Sequence, residues 1–334
     1  MVTMLRLSSL LIAAAFVLVK GVTGFGAVML PTQSRTSCLS LCYNNGLSHN
    51  NMSGKEIEEK EIISSFQRRS LLISTMMTSC GYCSCHFPSS ANALVELTQP
   101  STTDFRPRNK FIDNFFAHQM ATEMSDYERE IQKYKADLFQ KLFYSLSDGS
   151  GTSVPVVVEV GMGTFPNAKY YAQALSSSGL KGFDIVGVDP NDSMSSYAHD
   201  NARVFGLNSL LRTINGVAEA LPFADKSVDA IVTTLTLCSV FDQEKALSEM
   251  RRVLKPNTGK YLFWEHVLAE DDTALAFQQD LLNPLQTFAA DGCHLNRRTG
   301  MNIQKAFEGK VDLNYITLED KWVLGPTVFG IASA

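Results

Sequence analysis

The chain runs to 334 residues, enough for one large domain or two smaller ones. Its apolar content of 45% is ordinary for a globular protein. The net charge of −5 argues against a nucleic-acid partner, which calls for a basic face.

Charge divides the chain. Of its 29 Lys/Arg and 34 Asp/Glu, residues 1–93 hold 7 and 4, which leaves 22 and 30 for the remainder. No acid precedes Glu56, so the front has the composition of an address label. Arg6 precedes an apolar run from Leu7 to Val19, shorter than the ~20 residues of a membrane span, and small residues follow near Gly24. That is a signal-peptide pattern. Gly24-Phe25-Gly26-Ala27 resembles the Phe-containing junction of bipartite presequences that enter complex plastids, and the acid-free Ser/Thr/Asn-rich residues 26–55 are similar to a transit peptide. Arg68-Arg69 before Ser70-Leu71-Leu72-Ile73, closed by Ala91-Asn92-Ala93, resembles a thylakoid transfer signal. These segments imply a plastid presequence over 1–93, with the thylakoid lumen as its furthest destination. The alternative is a basic pair before an apolar anchor on an endomembrane. Five of the seven cysteines lie in this front. Cys80-x-x-Cys83-x-Cys85 has no second ligand pair at metal-site spacing, so neither a metal nor a disulfide framework is expected.

Residues 94–110, with Pro100 and Pro107, read as a linker. From Phe111, apolar residues recur every three to four positions (Phe115, Met120, Met124, Tyr127, Ile131, Tyr134, Leu138, Leu142), which predicts helix to Leu146. Ser125-Asp126 is a candidate break or cap. Residues 111–150 are expected to be a packing arm or a lid over a substrate. The rest, 151–334, alternates strand and helix. Strands are predicted over 155–160, 184–189, 211–217, 228–236, 260–267, 313–319 and 327–333. Helices are predicted over 166–178, 192–205, 242–254, 271–289 and 299–308. Alternation of this kind gives a parallel sheet with helices on both faces. Only Lys321 to Pro326 separate the last two strands, so these should pair antiparallel.

The chemistry begins at the first strand. Val156-Val157-Val158-Glu159-Val160 runs into Gly161-Met162-Gly163-Thr164, a turn in which missing Cβ atoms let a nucleotide approach the backbone. The next strand, Asp184 to Asp189, ends in an acid suited to both hydroxyls of a ribose. A dinucleotide fold places a third glycine after this turn to seat a pyrophosphate at the helix N-terminus. Pro166 stands there instead, which disfavours a nicotinamide reductase.

Glu159-Val160-Gly161-Met162-Gly163-Thr164 resembles motif I of class I S-adenosylmethionine-dependent methyltransferases. Gly216 to Phe223 and Arg251 to Gly259 resemble later segments of that fold. The expected architecture is α/β: a Rossmann-like, seven-stranded, mostly parallel sheet with a C-terminal antiparallel hairpin, behind N-terminal helices. The resemblance implies S-adenosylmethionine as cofactor. Gly161 and Gly163 would lie under its methionine part and ribose, and Glu159 would orient its α-amino group. Asp189 would hold the ribose diol, and Ala218 or Glu219 would read the adenine. Thr234, in the segment Thr233 to Val240, would border the transferable methyl.

Phe263-Trp264-Glu265-His266, Asp291-Gly292-Cys293-His294-Leu295-Asn296-Arg297 and Thr234-Leu235-Thr236-Leu237-Cys238-Ser239-Val240 together resemble the methyltransferase-like 7 family of alkyl-thiol methyltransferases and its plant plastid relatives. The likeness runs from about Phe111 to the end. It implies methyl transfer by in-line displacement to a small-molecule acceptor such as a thiol, with peripheral membrane contact as a further feature. His266 is a candidate general base, and Asp291 with His294 would orient or deprotonate the acceptor. Cys293 reads more simply as a packed loop residue, and Leu235, Leu237 and Cys238 read equally as packing or as contact. Methylation of a quinone or phenol on oxygen or carbon, or a non-catalytic cofactor-binding role, are the alternatives, because acceptor choice lives in loops.

Overall fold

The computed structural model describes residues 97–98, 108–147 and 154–334. All of these belong to one of the two units into which the chain divides, and the other, Thr23–Asn92, lies outside the described residues. The presequence signals and most of the linker expected from the sequence also lie outside them.

Two helices open the described part, α1 (Lys110–Glu123) and α2 (Ser125–Leu146). Asn109 caps α1, its side-chain oxygen accepting from the amides of Phe111 and Ile112. The break between the helices falls on Met124, one residue before the Ser125-Asp126 pair, and no side chain caps α2. The apolar stripe divides there too. Ile131, Leu138 and Leu142 are buried, whereas Phe111 and Phe115 on α1 are exposed. Packing against the core is therefore concentrated on α2.

The strands are β1 (Val156–Val160), β2 (Asp184–Asp189), β3 (Leu211–Asn215), β4 (Ala230–Thr234), β5 (Lys260–His266), β6 (Val311–Thr317) and β7 (Pro326–Ser333). Between them lie α3 (Ala168–Ser177), α4 (Met194–Val204), α5 (Gln243–Val253), α6 (Ala274–Ala289) and α7 (Thr299–Ala306). They form one seven-stranded sheet in the order β3-β2-β1-β4-β5-β7-β6. The first five are parallel, and β7 runs antiparallel between β5 and β6. The expected hairpin is present, although its connection is a 3-10 helix, Glu319–Leu324, rather than an irregular turn.

Element ends follow side-chain chemistry. α5 and α6 start one and three residues inside their predicted spans because Asp242 and Thr273 act as caps, accepting from the amides of Lys245 and Ala276. β4 stops at Thr234, where Leu235 turns to a φ of 56°.

Each face of the sheet has its own core. Val156, Val158 and Val160 pack with Leu247, Met250 and Val253 of α5 and with Ile303 of α7. Val157 faces the other way, among Ile131, Phe139 and Phe143 of α2 and Tyr171 of α3. Alternation along a strand puts Glu159 on the same side as Val157, beneath α2 and α3. Strand order reverses between β1 and β4, and a crevice opens there at the carboxyl ends of the strands. No helix among the described residues is long and apolar enough to cross a membrane.

Candidate active site

The turn after β1 is built on two left-handed glycines, Gly161 at φ 67° and Gly163 at φ 56°. The amide of Gly161 donates to the Val188 carbonyl of β2 at 2.7 Å, which ties the turn to the neighbouring strand. A Cβ on Gly161 would lie 2.4 Å from the Thr236 side chain, so the turn and the loop after β4 are in direct contact. A Cβ on Gly163 would meet no described atom within 4 Å. The turn is closed beneath and open above.

Asp189 ends β2 beside it. One carboxylate oxygen accepts from the Gly163 amide at 2.8 Å and the other from the Asn191 amide at 2.9 Å. Burial pushes its pKa up to about 6, against the pull of those two amides. A cavity of about 120 Å³ adjoins the carboxylate, lined in part by Met162, Gly163, Asn191, Ser195 and Thr213.

Glu159 lies beneath the turn, 1% exposed. Its Oε1 accepts from the Asn167 amide at 2.9 Å, and that amide also reaches Thr234 Oγ1 at 3.1 Å. Its Oε2 makes no hydrogen bond of good geometry, but the buried Tyr171 hydroxyl stands close enough to stabilise the carboxylate. Burial raises the carboxyl to about 7. The Asn167 carbonyl oxygen in turn accepts from Lys135 of α2 at 2.9 Å, and Lys135 pairs with Glu128 at 2.6 Å. Lys135 is 1% exposed, so this chain of charges is internal. Asn167, Lys135 and Glu128 were not legible as site residues. Lys135 and Glu128 lie on α2 and Asn167 just before α3, and only the packing of α2 on α3 aims them at Glu159.

A buried carboxylate, an open glycine turn and a second carboxylate at the end of β2 suit a ligand bearing an amine and a ribose. S-adenosylmethionine has both, and no phosphate that would need an anion seat. Glu159, Gly161, Gly163 and Asp189 therefore fit as its holders. The side chain of Ala218 packs in the core, which leaves only its backbone to face a ligand. Glu219 accepts from the amides of Phe241 and Asp242 through Oε1, which fastens the loop after β3 to the start of α5.

The loop after β4 and the end of β5 form the other half. Glu265 is fully buried and accepts from the amides of Thr236 and Leu237 at 2.9 and 3.0 Å. Burial, reinforced by Cys238, raises it to about 8. His266 Nε2 stands 3.0 Å from the His294 carbonyl and 3.5 Å from Cys293 Sγ. Cys238, His266 and Cys293 are all buried, with their ligand atoms within 4.8 Å of one another. Burial works to lower the imidazole's pKa, but Cys238 and the His294 carbonyl carry it above its ordinary value. The contact with Cys293 holds the Cys238 thiol well below the usual range, and the same contact, with burial, raises Cys293.

Asp291, His266 and His294 do not meet as a triad. The His294 ring bonds the Cys238 carbonyl at 3.2 Å, and its backbone carbonyl rather than its ring reaches His266. Asp291 pairs with Arg108 at 3.0 Å, and Arg108 also holds Asp113 of α1 at 2.8 Å. One guanidinium nitrogen, Arg108 Nη2, reaches both oxygens of the carboxylate, at 3.2 and 3.0 Å, in charge-assisted bonds. The Asp113 carbonyl accepts from Asn191 Nδ2 at 3.0 Å, so α1 lies against the rim of the Asp189 cavity. The groups gathered at His266 are the two cysteines, of which Cys293 read as packing and Cys238 equally as packing or contact.

A family model described as "Methyltransferase domain" matches residues 158–263. The thiol S-methyltransferase TMT1B of Rattus norvegicus is 33% identical over 221 residues, covering 65% of this chain and 85% of the relative. The thiol S-methyltransferase TMT1A of Homo sapiens is 33% identical over 196 residues, covering 58% and 77%. The ubiquinone/menaquinone biosynthesis C-methyltransferase UbiE of Klebsiella pneumoniae is 34% identical over 118 residues, covering 35% and 42%.

Proposed function

We propose, from the premise that this chain belongs to the family of the thiol S-methyltransferases TMT1A and TMT1B and is an S-adenosylmethionine-dependent methyltransferase, that its acceptor is a small thiol. The observation that carries this reading is the sulfur-rich end of the site. Cys238, His266 and Cys293 stand at the carboxyl ends of β4 and β5 and on the facing turn after α6. They lie next to the loop that touches the glycine turn.

S-adenosylmethionine supplies a methyl group already made electrophilic by its sulfonium. The protein's share is to hold the partners in line and to keep water out. Glu159, steadied by Asn167, takes the amine; Gly163 leaves the turn open; Asp189 takes the ribose hydroxyls. The acceptor's proton is then the remaining requirement, since a free thiol with a pKa of about 8.5 is only a few per cent thiolate at neutral pH. The buried cluster around His266 is the set of side chains that bears on it.

The test is transfer of labelled methyl from S-adenosylmethionine to an alkyl thiol by the purified chain, with a phenol and a quinol in parallel. Transfer to the thiol supports the reading. Transfer to the phenol or quinol alone overturns it.

For residues 1–93 we propose delivery to a plastid, on the support of the acid-free front, the Phe25 junction and the twin arginine. A fluorescent protein carrying residues 1–93 should enter plastids, and retention on the endomembranes would contradict this.

A further inference from the structure

We infer that Glu265 is a positioning residue for methyl transfer: its buried carboxyl holds the loop after β4 against the glycine turn on which S-adenosylmethionine would rest. This rests on the methyltransferase assignment and not on the choice of a thiol as acceptor.

The ladder between β4 and β5 ends at the Leu235 amide, which donates to the Trp264 carbonyl at 2.8 Å. Leu235 then turns to a φ of 56° and carries the chain out of the sheet. The next two amides, those of Thr236 and Leu237, leave the ladder. Both donate to one oxygen of Glu265, Oε2, at 2.9 and 3.0 Å. Successive backbone N–H groups that converge on one point form an anion seat. Here a side chain of β5 fills the seat, so a carboxyl takes the place of a strand. Glu265 and Leu237 are both fully buried. A carboxyl is a costly group to bury, and an apolar residue at the same position would leave two amides unpaired. The loop it holds accounts for its presence there.

That loop bears on the cofactor turn. The Thr236 hydroxyl donates to the Val160 carbonyl at 3.0 Å, one residue before Gly161. The Thr236 side chain is also what a Cβ on Gly161 would strike. Thr234, at the root of the loop, accepts from the Asn167 amide that holds Glu159. On its far side the Leu237 carbonyl accepts from Gln243 Nε2 at 2.8 Å and from Arg297 Nη1 at 2.6 Å. Those two side chains grip the loop from outside, and Glu265 grips it from the sheet.

Charge decides how firmly. Burial, reinforced by Cys238, raises the carboxyl to about 8. Below that, neutral Glu265 still accepts through its carbonyl oxygen. Above it, the same two bonds become charge-assisted and about twice as strong. The titratable groups that face Glu265 are Cys238 on the loop, Cys293 on the turn after α6, His266 and Tyr261 on β5, and Tyr127 on α2. Glutamine copies the neutral carboxyl in shape and acceptor, and leaves all of these in place.

The experiment compares the full wild-type chain with Glu265→Gln by titration calorimetry. The ligands are S-adenosylmethionine and its demethylated product, whose sulfur carries no charge. The ratio of affinities, wild type over variant, should rise by about 10-fold from pH 6 to pH 9 for both ligands. A residue that merely completes the core gives a ratio that does not change with pH, and that result overturns the proposal. A rise confined to S-adenosylmethionine overturns it too, since Glu265 would then be a counter-charge to the sulfonium. Wild-type amide resonances carry the test if the variant does not fold. The Thr236 and Leu237 N–H shifts should move together with a midpoint near pH 8, and amides that stay fixed from pH 6 to pH 9 overturn the proposal. No readout uses an acceptor, so this inference and the thiol reading fail separately.

Discussion

Lys135 on α2 donates to the Asn167 side chain at 2.9 Å, and through it the front helix is joined to the acid of the glycine strand. Both residues are at most 1% exposed, so the link works at low dielectric. Lys135→Met leaves Glu128 buried without its cation. The expected cost is about 3–5 kcal/mol in urea unfolding, and adding Glu128→Leu should recover most of it. S-adenosylmethionine affinity should fall in the single variant, because Asn167 loses the partner that aims it at Glu159. An unfolding midpoint like that of the wild type would show that the pair holds nothing together.

The two glycines of the turn should separate stability from binding. Gly161→Ala drives a Cβ to 2.4 Å from Thr236 in a left-handed backbone, so it should unfold well below the wild-type temperature. Gly163→Ala carries the left-handed penalty of about 1–2 kcal/mol but meets nothing, so it should fold and lose cofactor affinity. Calorimetric melting and binding titration on both variants decide this. Equal melting temperatures would refute the closed-beneath, open-above description.

Asp189→Ala removes the acceptor at the end of β2. Bonds to a charged group contribute about 1.5–3 kcal/mol, so affinity for S-adenosylmethionine should drop by roughly 10- to 100-fold. Unchanged affinity by titration calorimetry would remove Asp189 from the cofactor site.

Stability and cofactor affinity should respond to pH in opposite directions. Burial raises Asp189, Glu159 and Glu265 to about 6, 7 and 8, above their ordinary values of 3.8, 4.5 and 4.5. The folded chain therefore keeps protons that the unfolded chain releases. The resulting stability is complete below about pH 4 and is lost as the pH rises through 6 to 8. The cofactor-free chain should accordingly melt higher at pH 6 than at pH 8. Affinity should fall below about pH 6, where Asp189 protonates and loses acceptor strength. A melting temperature that climbs from pH 6 to pH 8 would contradict the buried-carboxylate account.

Arg108 clamps Asp113 and Asp291 across the rim of the site. The clamp is partly exposed, so Arg108→Ala should change global stability by only about 0–1 kcal/mol. It should speed amide exchange in α1 and around Asp291 and raise the KM for the acceptor, with kcat nearly unchanged. Wild-type exchange in α1 would show that the clamp does not hold that helix.

The sequence by itself determined the strand and helix order, the parallel sheet with its antiparallel close, and the glycine turn with Asp189 beside it. Those features are written in local terms: alternation along strands, glycine where φ is positive, an acid at a strand end. Side chains joined across the sheet were another matter. Cys238, His266 and Cys293 looked like a packing or contact residue, a candidate base and a packed loop residue because each stands in a different segment. Asn167 and Lys135 looked like ordinary helix positions for the same reason. Asp291 was grouped with His294 by closeness in sequence, yet Arg108, 183 residues away, holds it. Only the tertiary structure decided these partnerships, because hydrogen bonds and ion pairs reach about 3 Å in space whatever the distance along the chain.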